Sequence, residues 1–269
     1  MTARVLIVAG SDSGGGAGIQ ADIKTVTALG GFATTAITAL TAQNTRGVEG
    51  VVGVEPAFIQ QQMRAVLDDI GTDVIKTGML HNAEVIDAVS DIIDELDPSI
   101  PIVVDPVMVS QSGSSLLDPG SVQTLTRRLS LRASVMTPNI PEAEKLTGMT
   151  IRDIDGMLQA AAMLHTIGPK AVLLKGGHMQ GGETVSDILA SEEGIETFES
   201  QRIETPHVHG TGCTLASAIA TSLAQGMGLK DAVLRGRAYL HEAIRTNPGL
   251  GGGQGPVNHG HTFAGFEAS

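Results

Sequence analysis

Five apolar runs of this sequence stop at a polar residue suited to handling charge. The first run gives way to Gly10-Ser11-Asp12, Val74-Ile75 to Lys76, and Val103-Val104 to Asp105. Val135-Met136 gives way to Thr137-Pro138-Asn139, and Leu173-Leu174 to Lys175. Carboxylates, an amide and lysines along one rim suit a metal-dependent reaction on an anion. Hard oxygens hold divalent cations, and an ammonium group neutralises phosphate. A further segment, Gly210-Thr211-Gly212-Cys213-Thr214, precedes an apolar helical pattern of Leu215, Ala218, Ile219 and Leu223. Small residues let backbone N–H groups approach an anion closely, and a helix N-terminus adds positive partial charge. Cys213 falls in the first helical turn, where the same dipole lowers a thiol's pKa and favours thiolate. The plainer readings are a capped turn for Gly-Thr-Gly and a small buried apolar residue for a lone cysteine.

Two other features invite chemistry. The loop Gly10–Gly18 (GSDSGGGAG) carries no GxGxxG, no Gly-Lys-Ser/Thr follows anywhere, and Asp12 stands where GxSxG needs its serine. Its glycines suggest instead a wall against which a flat ligand lies. His207 and His209 are two residues apart, as are His259 and His261. Neither pair has a common zinc spacing, so both are expected to be solvated.

The elements that must position these residues alternate regularly. Strands are expected at Arg4–Ala9, Thr34–Leu40, Gly50–Val54, Asp73–Lys76, Ile102–Asp105, Ser134–Thr137 and Ala171–Lys175, with a pair at Thr184–Ala190 and Ile195–Glu199. Helices are expected at Ala17–Leu29, from Pro56, at Asn82–Leu96 behind an Asn N-cap, and near Pro119–Leu129. Further helices follow near Ile140–Leu146, Ile154–Ile167, Gly212–Gln225 and Asp231–Arg245. Strands that are apolar throughout, alternating with helices, imply a mostly parallel sheet covered on both faces. In such a sheet ligands bind beyond the carboxyl ends of the strands, which is where the polar residues above fall. No repeat or composition break divides the chain, so residues 1–269 are expected to form one α/β domain. Its glycine-rich tail from about residue 248 is expected to be a loop or poorly ordered.

Composition narrows the classes of function. The 34 glycines have no three-residue period, which excludes collagen, and one Cys excludes a disulfide framework. A net charge of −12 with no Trp, one Tyr and five Phe argues against a nucleic-acid platform or an anionic membrane surface. No apolar run reaches the roughly 18 residues of a membrane span, and the N-terminus lacks a signal-peptide pattern. A soluble, cytoplasmic protein is the expectation. Phosphates handled by so acidic a chain need local devices: backbone amides, a few cations and a metal.

Taken together, the motifs resemble the ribokinase-like superfamily, and within it the hydroxymethylpyrimidine and phosphomethylpyrimidine kinases of thiamine biosynthesis. The resemblance is carried by AGSDSGGGAGIQADIKT (Ala9–Thr25), ITALTAQNTRGV (Ile37–Val48), IKTGML (Ile75–Leu80) and VVDPVM (Val103–Met108). It continues in TPNIPEAEKL (Thr137–Leu146), LLKGGH (Leu173–His178) and HGTGCTLASAIA (His209–Ala220), in the family's order over nearly the whole chain. It implies a three-layer α/β/α fold with a small or absent lid, and ATP-dependent phosphorylation of 4-amino-5-hydroxymethyl-2-methylpyrimidine and then of its monophosphate. Gln43 is then the residue that hydrogen-bonds the aminopyrimidine edge, with Asp22, Gly10, Ala17 and Val107 at the substrate. Asp105, Asn139 and Glu142 organise Mg²⁺. Lys175, Asn139 and Thr211 approach ATP. Gly210, Gly212 and Cys213 form the anion hole, with Lys175 beside it and Cys213 in the place where relatives have an Asp base. Family members are commonly dimers, so a homodimer is implied.

Two departures stand out: Val208 replaces a hydroxyl residue common before the His-Gly-Thr-Gly-Cys motif, and only Thr184–Glu199 could serve as a lid. A pyridoxine or pyridoxal kinase of the same superfamily is the alternative enzyme, since its substrate also bears a hydroxymethyl group on a flat nitrogen ring. A non-catalytic vitamin- or nucleotide-binding sensor is the alternative of another class.

Overall fold

In a computed structural model, which describes residues 2–108, 119–179 and 181–263, the apolar runs assemble into one nine-stranded sheet. The strands are β1 (Arg4–Asp12), β2 (Phe32–Asn44), β3 (Gly47–Gly53), β4 (Val74–Thr77), β5 (Ile102–Val104), β6 (Val135–Met136), β7 (Ala171–Leu174), β8 (Thr184–Ser191) and β9 (Gly194–Gln201). Their spatial order is β3-β2-β1-β4-β5-β6-β7-β8-β9. The six strands from β2 to β7 in that order pair in parallel, while β3, β8 and β9 are antiparallel additions at the two ends.

Alternation along the central strands explains the layers. In β1, Leu6 and Val8 face one core while Val5, Ile7 and Ala9 face the other, and all five are at most 1% exposed. Full burial of such side chains is worth about 1.5–3 kcal/mol each, so β1 is fixed from both sides. The first face is covered by α2 (Pro56–Asp69), α3 (Ala83–Asp94) and α4 (Pro119–Arg128), through Ile59, Met63, Ile86, Val89 and Leu125. Next to them, α5 (Ile140–Thr147) and α6 (Ile154–Ile167) pack on Val172, Leu174 and Ile188. The other face is covered by α1 (Gly18–Ala28), α7 (Thr211–Ala224) and α8 (Leu229–Arg245), through Ile19, Val26, Leu215, Ile219 and Val233. The result is the three-layer α/β/α arrangement with a mostly parallel sheet.

Asn82 caps α3 as expected, accepting the Val85 N–H at 2.9 Å. β2 is longer than its apolar stretch because Thr41, Ala42, Gln43 and Asn44 pair antiparallel with β3, which periodicity alone does not reveal. The tail is irregular, but it is not loose. Gln254 N–H donates to Thr45 O at 2.8 Å, Asn258 N–H to Ala243 O at 2.9 Å, and Val257 is 2% exposed. The last stretch of the tail, 264–269, lies outside the described residues.

Candidate active site

The parallel strands all end at one rim, and a cavity of about 370 Å³ opens there. At one end β1 runs into the glycine loop. Asp12, 3% exposed, holds that loop from below: Oδ1 accepts the Gly14 N–H at 2.8 Å, and Oδ2 accepts those of Gly16 at 3.0 Å and Ala17 at 2.8 Å. Oδ2 also lies 2.8 Å from His209 Nε2. Burial pushes the Asp12 carboxyl up, but the His209 hydrogen bond and the Ala17 and Gly14 amides outweigh it and hold it below the usual range. Gly10, Ala17, Gln43 and Val107 line the cavity.

Two glycines are required by close approach. Gly210 has φ +85°, and a Cβ there would lie 1.8 Å from Gly16 O. Gly18 has φ +55°, and a Cβ there would lie 2.4 Å from Gly10 O. The glycine loop and the start of α7 therefore touch backbone to backbone, which no larger residue permits.

At the other side of this junction the first turn of α7 presents the Gly212 and Cys213 N–H groups, which have no partner within a helix that starts at Thr211. Gly212 packs against two of the strand-end residues: a Cβ there would lie 3.2 Å from Lys175 Nζ and 3.6 Å from Asp105 Oδ2. Lys175 Nζ donates to Asp105 Oδ1 at 3.0 Å, and Thr137 Oγ1 donates to the same oxygen at 3.1 Å. Burial pushes Asp105 up, yet the Lys175 and Lys76 ammonium groups hold it below the usual carboxylate range. Asn139 and Glu142 line the same wall and form a capping box on α5: Asn139 Oδ1 accepts the Glu142 N–H at 2.9 Å, and Glu142 Oε2 accepts the Asn139 N–H at 2.8 Å. Burial pushes the Glu142 carboxyl up to about 7, Lys175 opposing and Asp105 reinforcing the shift. The wall thus gathers hard oxygen donors beside a cation, although among the described residues no three His, Cys, Asp or Glu side chains converge as a preformed metal site.

Several expectations are corrected. Asp22 does not reach the cavity: it is fully buried, with Lys76 Nζ 2.8 and 2.9 Å from its two oxygens and Ser217 Oγ donating at 2.7 Å. Lys76 is fully buried with it and is no rim residue. Burial works against the Lys76 charge, but the carboxylate of Asp22, with Cys213 and Asp105, raises its pKa. The Cys213 thiol is not acidified. Desolvation pushes it up to about 12, with Asp22 and Asp105 adding to the rise and Lys76 and the Gly18 N–H opposing it, although the residue is half-buried at the cavity wall. Nor are the histidines all solvated. His209 is 7% and His259 5% exposed, since the tail folds back over the loop. His259 Nε2 lies 3.0 Å from Thr214 Oγ1, and its carbonyl accepts the Tyr239 hydroxyl at 2.6 Å. His207 and His261 are half-buried.

Sequence reasoning missed the far end of the cavity. Asp187, inside β8, accepts the Gly176 N–H at 2.8 Å and Arg237 Nε at 2.8 Å, and Arg237 lies 5.6 Å over the Phe198 ring. The available signal was a carboxylate followed directly by the apolar run Ile188-Leu189-Ala190. Thr184–Glu199, the one candidate lid, is the β8–β9 hairpin, built into the sheet through a regular register.

Comparison with known proteins places these features in a family. The sequence matches the phosphomethylpyrimidine kinase family over residues 12–258. It is 54% identical over 255 residues to the thiamine biosynthesis bifunctional protein ThiED of Geobacter sulfurreducens, covering 95% of this chain and 52% of that one, so the chain spans about half the length of that relative. It is 44% identical over 256 residues to the hydroxymethylpyrimidine/phosphomethylpyrimidine kinase of Streptomyces coelicolor, covering 95% and 94% of the two chains. Among solved structures, the phosphomethylpyrimidine kinase of Clostridium difficile superimposes with a TM-score of 0.80 at 40% identity, covering 90% of this chain and 100% of that one. The pyridoxal kinase of Bacillus subtilis, an ADP complex, superimposes with a TM-score of 0.88 at 35% identity, covering 96% and 98%. A match of this extent along the sequence, on a fold shared with these enzymes, shows that the chain belongs to the phosphomethylpyrimidine kinases, phosphotransferases of the ribokinase-like fold.

Proposed function

We propose that this chain transfers the γ-phosphoryl group of ATP to the hydroxymethyl oxygen of 4-amino-5-hydroxymethyl-2-methylpyrimidine, and then phosphorylates the monophosphate to the diphosphate. The observation that carries this reading is the contact between the glycine loop and the start of α7. It sets a flat wall with Gln43 directly beside free helix N–H groups and Lys175, so a ring and a phosphoryl group meet in one cavity. The relatives named as hydroxymethylpyrimidine/phosphomethylpyrimidine kinases support this substrate over pyridoxal.

Phosphoryl transfer passes through a loose transition state, so positioning and charge stabilisation do most of the catalysis. Gln43, Gly10, Ala17 and Val107 hold the ring. The Gly212 and Cys213 amides and Lys175 face the charge that develops on the transferred group. Thr211 and Asn139 stand toward the nucleotide. The Asp105 and Glu142 carboxylates, with Asn139, suit Mg²⁺, which favours one or two carboxylates together with water and phosphate oxygens. When bound, the ion neutralises phosphate charge and helps to align the groups. Cys213 accepts the hydroxyl proton only as the thiolate, after its own proton has left to solvent, and returns to the thiol as the new P–O bond forms. Leu40, Val51 and Val52 on the β2–β3 hairpin are exposed apolar residues. They support the homodimer proposed from the family resemblance. The cytoplasm is the proposed location, and among the described residues no helix is long and apolar enough to cross a membrane.

The test is a two-step assay with Mg·ATP and each ring substrate, products separated by chromatography. Both the mono- and the diphosphate of the aminopyrimidine are expected. Turnover of pyridoxal with none of the aminopyrimidine would reverse the assignment, and binding without turnover of either would revive a sensor.

A further inference from the structure

The residues around Gln43 determine which way its side-chain amide points. Asp12 gathers three backbone N–H groups on its two oxygens, an arrangement suited to a carboxylate and not to a carboxylic acid. His209 Nε2, 2.8 Å from Asp12 Oδ2, must then carry a hydrogen and donate it. The Gln43 amide meets that same Nε2 at 3.4 Å and Thr41 Oγ1 at 3.2 Å, its nitrogen placed toward His209 and its oxygen toward Thr41. In that orientation two N–H groups face each other. The single Thr41 hydroxyl hydrogen would also have to serve both Gln43 and Ser11 O, 2.9 Å away. Half a turn of the amide ends the opposition of two N–H groups and frees the Thr41 hydrogen for Ser11 O. Gln43 Oε1 then takes the longer branch, 3.4 Å, of a three-centre bond from the one His209 Nε2 hydrogen, whose shorter branch is to Asp12. Gln43 Nε2–H donates to Thr41 Oγ1, whose own hydrogen goes to Ser11 O.

This leaves the amide with one lone-pair direction on the His209 side, adjacent in sequence to Gly210 and the anion hole, and one N–H on the β2 side. A ring docked with its reacting arm toward the anion hole must therefore offer a donor next to that arm and an acceptor one atom farther round. The aminopyrimidine of the proposed function does so: its 4-amino group adjoins the carbon bearing the hydroxymethyl arm, and N3 follows. A 4-oxo ring presents the reverse pattern, a carbonyl and then an N–H. Resting on that functional reading, we infer that His209 and Thr41 lock the polarity of the Gln43 amide, which makes His209 a positioning residue that selects the 4-amino over the 4-oxo ring.

The experiment compares initial rates on 4-amino-5-hydroxymethyl-2-methylpyrimidine and its 4-oxo counterpart for the wild-type chain, H209A, H209Q and T41V. The wild type prefers the amino ring by at least about 100-fold in kcat/KM, since the oxo ring leaves both contacts mismatched. H209A raises KM for the amino ring about tenfold, with kcat and the KM for ATP within about threefold, and cuts the amino preference at least about tenfold because the amide is free to turn. H209Q, whose own amide can donate to Asp12, restores the preference, and the near-isosteric T41V lowers it. An unchanged preference in both H209A and T41V overturns the proposal. So does a loss in H209A that falls on kcat and on both KM values together, or one that H209Q fails to rescue. If the wild type leaves the aminopyrimidine unphosphorylated, the functional reading fails; if it phosphorylates both rings equally well, only the amide polarity fails.

Discussion

Cys213 illustrates how a residue's role is set by what surrounds it. A helix start lowers a thiol's pKa only where the thiolate is also well hydrated or paired, and here desolvation, with the Asp22 and Asp105 carboxylates nearby, dominates at a half-buried residue and the pKa rises to about 12. At neutral pH the free protein holds a thiol. It accepts the proton of the attacking hydroxyl only after its own proton has left to solvent, so the acting form is the thiolate and the transfer is late, which a loose transition state allows. A general base typically contributes about 10²–10⁴ in rate, so C213S is expected to lower kcat by about that factor while calorimetric ATP affinity stays near that of the wild type. Full turnover in C213S would remove Cys213 from proton transfer. Asp12 shows the same dependence on surroundings: at the end of β1 it reads as a ligand, but three loop amides and His209 consume its oxygens.

At the level of elements, the cavity depends on how α1, β4 and α7 are held together. Asp22 of α1, Lys76 of β4 and Ser217 of α7 meet in a fully buried polar cluster between the helical layer and the sheet. Attraction within a buried pair is offset largely by desolvation, but removing one partner strands the other charge at about 3–5 kcal/mol. D22N or K76M alone is therefore expected to lower stability by about that much in urea unfolding, and the double change D22L/K76M to recover most of it. A single variant that loses less than about 1 kcal/mol would show that the pair is hydrated and not structural.

For the molecule as a whole, the chain's last described stretch folds back and ties together the elements around the glycine loop. Between Gly251 and Thr262 it bonds to the β2–β3 turn at Thr45, to α8 at Ala243, to His209 through Gly255 O, and to α1 at Ala28. His259 anchors it to Thr214 of α7. Burial, with Lys24, His209 and His261 nearby, lowers the His259 pKa from 6.5 to about 4. In the unfolded chain this imidazole takes up a proton near pH 6.5, whereas the folded chain resists until about pH 4. The unfolded state therefore binds more protons in that window, and stability falls as pH drops through it, by at most about 3 kcal/mol from this residue. Thermal unfolding between pH 7 and 4.5 should show the decline, and H259Q, whose amide keeps a donor for Thr214 but cannot charge, should flatten it. An identical slope in H259Q would assign the acid sensitivity to other groups.

The sequence by itself determined the layered α/β/α fold, because a strand covered on both faces must be apolar throughout and an amphipathic helix must repeat at its own period; β1, β4, β5 and β7 carry that pattern, as do α3 and α6. It also determined that Asp105, Asn139, Lys175 and the start of α7 reach one rim, since strand ends in a parallel sheet point the same way. Pairing across long sequence separations was beyond it. Asp22 and Lys76, 54 residues apart, neutralise each other away from the cavity, and Asp12 and His209, 197 apart, turn a loop and a histidine into one network. Periodicity records which face of an element is apolar. The state of a charged group depends on its partners and its access to water, and those arise only when distant segments close over one another.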